Sequence, residues 1–210
     1  MSAPGTFWHL HEEDPIEAYQ NFKFGMWVFL ATEILMFGGI FAALFIFKYL
    51  KPEVYIHGSN LLDWKMGALN TVILLCSSFT MAMAVDAAQR GQQKKLVWNL
   101  IGTLGFAAGF LIVKYFEYSH KAHIGIFPNW FGWFPEAKLD LFFSVYFMST
   151  GLHLLHVLIG MAFIGLLLYR ATKGRYGKEN YGGVEIGGLY WHLVDLIWIF
   201  LFPLLYLLRH

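Results

Sequence analysis

Residues 190–202 read YWHLVDLIWIFLF. Most of this stretch is the sequence of a membrane helix. Yet His192 and Asp195 sit inside it, three residues apart, and so share one helix face. Ionisable groups in hydrocarbon are costly and mark functional sites by default. The pair admits three readings: half of a metal site, a proton relay, or a brace between helices.

The chain around it has 210 residues, 58% hydrophobic and 19% aromatic, with only 14% charged. Soluble domains carry about 25% charged residues, so the composition is that of an integral membrane protein. A span takes about 20 mostly apolar residues. Five stretches qualify, over about 24–49, 67–88, 96–118, 139–169 and 186–208. The fourth is long enough to tilt or to project from the bilayer, and Pro203 predicts a kink near the end of the fifth. Backbone satisfaction in lipid then leaves an all-α, five-transmembrane-helix bundle over residues 23–210. Residues 1–22 read as a polar, interfacial segment, without the basic-then-apolar order of a cleaved signal peptide. The joining stretches 51–64, 89–95, 123–138 and 170–183 are polar, and the aromatics of the third suit a membrane interface. No repeat, low-complexity tract or soluble domain is evident. A net charge of +1 excludes a strongly basic nucleic-acid-binding face. The single cysteine, Cys76, excludes a cysteine-rich metal motif and an internal disulfide.

Charge gives an orientation. Arg90, Lys94, Lys95, Arg170, Lys173, Arg175 and Lys178 fall on the N-terminal side; Lys48, Lys51, Lys65, Lys121, Lys138 and Arg209 fall on the other. This slight positive-inside bias puts the N-terminus in the cytoplasm and the C-terminus outside. Small residues mark helix contacts: Gly102, Gly105 and Gly109 in the third span, the last two a GxxxG pair, with Gly38 and Gly39 in the first and Gly151 and Gly160 in the fourth. They predict packing within the chain first and docking on another subunit second. Asn70, Thr71, Ser77, Ser78 and Thr80 make the second span polar and able to hydrogen-bond across helices. No span is broken in the manner of an inverted-repeat transporter.

The intramembrane ionisable candidates are Glu33, Asp86, Glu117, His153, His156, His192 and Asp195. A di-iron bundle needs two Glu-x-x-His motifs; only Glu117 to His120 offers one. The His-Glu-x-x-His of a zinc protease is absent. Helix rise puts His156 about 20 Å from the Arg170 end of its span and His192 about 9 Å from the same face. On that arithmetic the histidines do not share an ion. Glu33 and Asp195 each fall about 14–15 Å inside the N-terminal face. Glu33 is read either as a proton-handling group or as an interhelical hydrogen-bond partner of a Thr or Trp. For His192 and Asp195 the preferred reading is a mutual or cross-helix pair that fixes helix rotation.

Five segments, one in each span, resemble subunit III of the haem–copper respiratory oxidases. They are GMWVFLATE (25–33), LNTVILLCSS with Thr80 following (69–80), FEY (116–118), SVYFMSTGLHLLHVLIG (144–160) and YWHLVDLIWIFLF (190–202). The resemblance runs from about residue 22 to near the end of the chain. It implies a subunit that carries no haem, copper or other metal and packs on the catalytic subunit I, which holds them. Phospholipid, subunit II and other respiratory complexes are further partners it implies. It also implies support of sustained proton uptake. Glu33 matches the family's carbodiimide-reactive glutamate; Glu117, His153, His156, His192 and Asp195 fall on motif positions and carry over as helix-packing or lipid-contact residues, not catalysts. The common form has seven spans; the two absent here are the first two, and this resembles the five-span versions of bacterial oxidases, where extra helices can belong to the catalytic subunit. The expected function is thus a non-catalytic subunit of a bacterial cytochrome c oxidase in the cytoplasmic (inner) membrane. The alternatives are a subunit of a quinol oxidase or nitric-oxide reductase, and a metal-dependent membrane enzyme.

Overall fold

The computed structural model describes residues 15–123 and 140–208. The N-terminal residues 1–14 and most of the 123–138 connection lie outside the described residues. The order is α1 (Pro15–Leu50), α2 (Pro52–Asn60), α3 (Trp64–Gln89), α4 (Gln93–His123), α5 (Asp140–Thr172) and α6 (Gly182–Phe202), closed by a π-helical turn at Pro203–Leu207. All helices except α2 are long and apolar enough to cross a membrane, with α6 the most buried and α1 the least. The five expected spans are therefore present. They extend further than hydropathy alone indicated: α1 reaches back to Pro15 and α6 to Gly182. Hydropathy locates the greasy window, whereas backbone hydrogen bonding carries a helix on into the polar interface.

The turns have local causes. Pro52 cannot donate a backbone hydrogen bond and disfavours helix at the residue before it, so α1 stops at Leu50 and α2 starts afresh. Asp63 caps α3, accepting from the Lys65 N–H at 2.9 Å. The α3–α4 and α5–α6 turns both end a helix in a Schellman arrangement. In the first, the Gln92 N–H reaches the Ala87 carbonyl and the Gly91 N–H the Ala88 carbonyl; in the second, the Arg175 N–H reaches Arg170 and the Gly174 N–H reaches Ala171. Gly91 and Gly174 take φ of 70°, which a side chain would strain.

The segment 51–64 is not merely a polar loop, because it contains α2. Its Tyr55 hydroxyl donates to the Leu204 carbonyl, and Ser59 Oγ donates to the Leu205 carbonyl at 2.9 Å. These are the carbonyls left without helical partners where α6 runs out past Pro203. Pro203 thus brings a change of helix type, and α2 covers the end.

Close helix approach uses other glycines than the GxxxG pair. A Cβ at Gly160 would lie 2.8 Å from the Trp191 ring, one at Gly187 2.5 Å from Leu167, and one at Gly188 2.8 Å from Val85. These positions let α6 sink between α5 and α3. Gly102 and Gly109 make ordinary contacts with α3, while Gly38, Gly39, Gly105 and Gly151 have nothing within 4 Å of a Cβ position.

Candidate functional site

Ionisable and polar side chains collect in three places. The first joins α1 to α5. His156 Nδ1 donates to the Leu152 carbonyl at 2.8 Å, which leaves Nε2 facing Glu33 Oε2 at 2.9 Å. The approach is at ion-pair distance, though Oε2 receives no aligned hydrogen bond. Phe37 packs its edge on the imidazole, with centroids 5.4 Å apart. The expected Thr or Trp partner of Glu33 is therefore replaced by His156. Counted by helix rise the two differ in depth by about 6 Å, which corresponds to about four residues in the assumed helix ends.

The second joins α3 to α4 and α6, and it employs the polar residues of the second span. Trp191 Nε1 donates to Ser77 Oγ at 3.0 Å, and Ser77 Oγ to the Thr103 carbonyl at 3.2 Å. Thr80 and Thr103 hydroxyls meet at 2.9 Å, and Trp198 Nε1 donates to Thr71 at 3.1 Å. His192 Nδ1 meets Ser78 Oγ at 2.6 Å. Ser78 also interacts with Asp195, yet neither Asp195 oxygen closes a well-formed hydrogen bond. His192 and Asp195 are thus linked through α3 and not to each other. Asn70 is buried with neither amide atom bonded among the described residues.

The third lies at the opposite end of the bundle. Glu117 Oε1 accepts from Lys121 Nζ at 2.9 Å, Tyr146 at 2.7 Å and Tyr206 at 2.5 Å, while Oε2 accepts from Lys114 Nζ at 2.8 Å. Lys114 also donates to Tyr206 and sits 4.5 Å from the Trp198 ring centre. All five side chains are buried. The sequence expectation has Glu117 alone, omits Lys114 and counts Lys121 beyond the third span, whereas α4 carries all three. The available signal was spacing: Lys114, Glu117 and Lys121 stand at i, i+3 and i+7, on one helix face. His153 is fully buried between the Phe110 and Trp198 rings, with both nitrogens unbonded among the described residues. Asp86 is half exposed and pairs with Arg90 at 2.9 Å, outside this architecture.

Metal coordination would need these groups to converge. Among the described residues no three His, Cys, Asp or Glu side chains do so. The Glu-x-x-His spacing points two ways, with Glu117 inward to the lysines and His120 exposed.

These features define a polytopic α-helical membrane protein whose ionisable residues sit in separate clusters along the bundle. The chain matches the family model for cytochrome c oxidase subunit III over residues 3–209 and belongs to that family. It is similar to cytochrome c oxidase subunit 3 of Synechocystis sp., 34% identical over 187 residues, covering 88% of this chain and 75% of the relative. Quinol oxidase subunit 3 of Bacillus subtilis is 32% identical over 185 residues, covering 88% and 85%. A heme-copper oxidase subunit I+III of Aeropyrum pernix is 31% identical over 188 residues; this chain spans 22% of that longer protein. The chain is a multi-pass membrane protein and a subunit III of a haem–copper oxidase.

Proposed function

We propose that the chain is a non-catalytic subunit that packs on the catalytic subunit I of a bacterial cytochrome c oxidase, retains phospholipid and supports proton uptake through Glu33. Partner subunits hold the haems and copper. The observation that carries the proton-linked part is the Glu33–His156 contact: a carboxyl and an imidazole within 2.9 Å, joining two spans, with one nitrogen already committed to a carbonyl. The Aeropyrum relative named subunit I+III supports close packing of subunit III on subunit I. The Bacillus relative favours a quinol oxidase as the second reading; a dicopper-binding domain on the co-purifying subunit II decides for cytochrome c.

The N-terminus belongs in the cytoplasm on this reading. Lys121, counted on the opposite side, is held inside the bundle by Glu117, and Lys23 pairs with Glu185 on the N-terminal side at 2.8 Å. Both facts strengthen the positive-inside bias.

The test is Glu33→Gln in the assembled, haem-replete oxidase, with oxygen consumption followed from the first turnovers through prolonged catalysis. Initial turnover is retained and the rate decays faster than in the parent. Complete and immediate loss overturns the accessory role.

A further inference from the structure

α1 is the least buried span. Near its N-terminal end it meets the start of α6 through the Lys23–Glu185 ion pair at 2.8 Å. Beside that pair lies a pocket of about 470 Å³, with Phe22 and Ile186, the chain neighbours of Lys23 and Glu185, among its walls. Glu179, Asn180, Tyr181 and Gly183 of the α5–α6 turn complete it. Phe22 is 62% exposed. Tyr176 is buried and lays its phenol against Gly183, the oxygen 3.4 Å from a Cβ position there. That hydroxyl makes no hydrogen bond among the described residues, whereas buried polar groups are nearly always paired. The walls thus ask for an occupant with an aromatic or apolar body and a polar tip.

The turn that closes the pocket is basic. Lys173, Arg175 and Lys178 are exposed on it, and the Lys178 side chain lies 3.3 Å from a Cβ position at Gly91, next to Arg90 of the α3–α4 turn. Residues 1–14, MSAPGTFWHLHEED, carry Glu12, Glu13 and Asp14 and no lysine or arginine. Ahead of these acids stands an aromatic and apolar run, Phe7-Trp8-His9-Leu10. From Trp8 to Pro15 the chain reaches up to about 23 Å when extended. Phe22 lies only about 10 Å along α1 from Pro15 by helix rise. The run therefore reaches the pocket with slack, and the acids between it and α1 are left to meet the basic turn. A phospholipid fits less well: its phosphate would meet Glu179 at the wall, and its acyl chain offers the Tyr176 hydroxyl no partner.

We propose that residues 7–10 of this chain fold back into the pocket, with Trp8 as the buried anchor and Glu12 and Glu13 set against Lys173, Arg175 and Lys178. The Trp8 indole N–H is a donor and the Tyr176 hydroxyl accepts it; buried tryptophans usually find such a partner. The folded-back segment clamps the N-terminal end of α1, the span that carries Glu33, onto the α5–α6 turn. Pocket and segment belong to one chain, so the clamp is the same whichever oxidase the chain serves.

Benzoylphenylalanine in place of Trp8 tests this in the purified oxidase, with adducts mapped by peptide mass spectrometry. Irradiation is expected to join it to residues 176–186 of the same chain. The yield is expected to fall roughly fivefold when Glu12→Lys and Glu13→Lys are added, the scale of two exposed ion pairs turned repulsive. Adducts to another polypeptide, to a second copy of the chain or to lipid overturn the proposal, as does the absence of any adduct. A yield that charge reversal leaves unchanged overturns the electrostatic part. Gly183→Leu tests the pocket without touching the segment, because it fills the space from its own wall. Glutamyl endopeptidase is then expected to cut after Glu12 and Glu13 about tenfold faster than in the parent, the scale of one buried aromatic side chain. Equal cutting of the two proteins overturns the seat.

Discussion

Glu117→Gln isolates what the buried Lys114–Glu117–Lys121 network contributes. The carboxylate accepts four hydrogen bonds between 2.5 and 2.9 Å from two ammonium groups and two phenols. A glutamine keeps one acceptor oxygen for Lys121, Tyr146 and Tyr206. Its amide, however, takes the place of Oε2 and points donors at the Lys114 ammonium. Two buried cations are then left without a counter-charge. Removing one partner of a buried ion pair costs about 3–5 kcal/mol. By the scaling for chains of this size, that is a fall of roughly 6–20 °C in melting temperature. The matched control is Lys114→Met, Glu117→Leu and Lys121→Met together, which removes the charges as a set. Replacing a buried ionic group by apolar side chains is often neutral or stabilising, so the triple variant is expected to melt nearer the parent than the single one. Thermal size-exclusion chromatography in mild detergent measures all three. A Glu117→Gln protein that melts within about 2 °C of the parent refutes the buried-charge reasoning, since that is less than 1 kcal/mol on the same scale.

Two further outcomes follow from packing and titration. Gly160→Ala places a methyl 2.8 Å from the Trp191 ring and 3.0 Å from Tyr190; overpacking of this kind costs about 1–3 kcal/mol, whereas Gly165→Ala, which meets nothing within 4 Å, is expected to melt like the parent. Equal melting of the two variants rejects the close approach of α5 and α6. Burial pushes the Tyr55 phenol, in α2 outside the spans, up to about 12. The folded value lies above the ordinary phenol value of about 10, so its stabilisation is complete below that pH and lost as pH rises through the folded value. The parent therefore loses stability faster than Tyr55→Phe across about pH 10–12, and parallel melting curves over that range reject the role of Tyr55 in covering the end of α6.

The number of spans and the cross-helix use of the second span were legible because both depend on composition and helical period. Thr71, Ser77, Ser78 and Thr80 all hydrogen-bond to another helix or receive such a bond. Asn70 does not, among the described residues. Partner identity was less legible. Glu33 meets His156 although helix rise separates their inferred depths by about 6 Å, because an error of a few residues at a helix end shifts inferred depth by a whole turn. The lysines were missed because a cation inside a span reads as a boundary signal; only its helical phase relative to Glu117 shows that it faces inward. Glycine pairing misled for a related reason. GxxxG states that two small residues share a face, but the face bearing Gly105 meets open space, while the deepest helix, α6, uses the adjacent Gly187 and Gly188.

The half-buried Glu33 and the buried Glu117 are physically unlike. Glu117 is the centre of a closed network in which both oxygens are engaged and every charge has a counterpart or a donor within 3 Å. Moving a proton onto it breaks several charge-assisted bonds at once, and such bonds are roughly twice as strong as neutral ones. Glu33 has one close polar contact, on the least buried span, with a histidine whose other nitrogen stays anchored to Leu152 whether or not the contact holds. Removing the Glu33 charge therefore disturbs that one contact and no network of charge-assisted bonds. Neutralising Glu33 is thus expected to spare assembly, while neutralising Glu117 is expected to damage it.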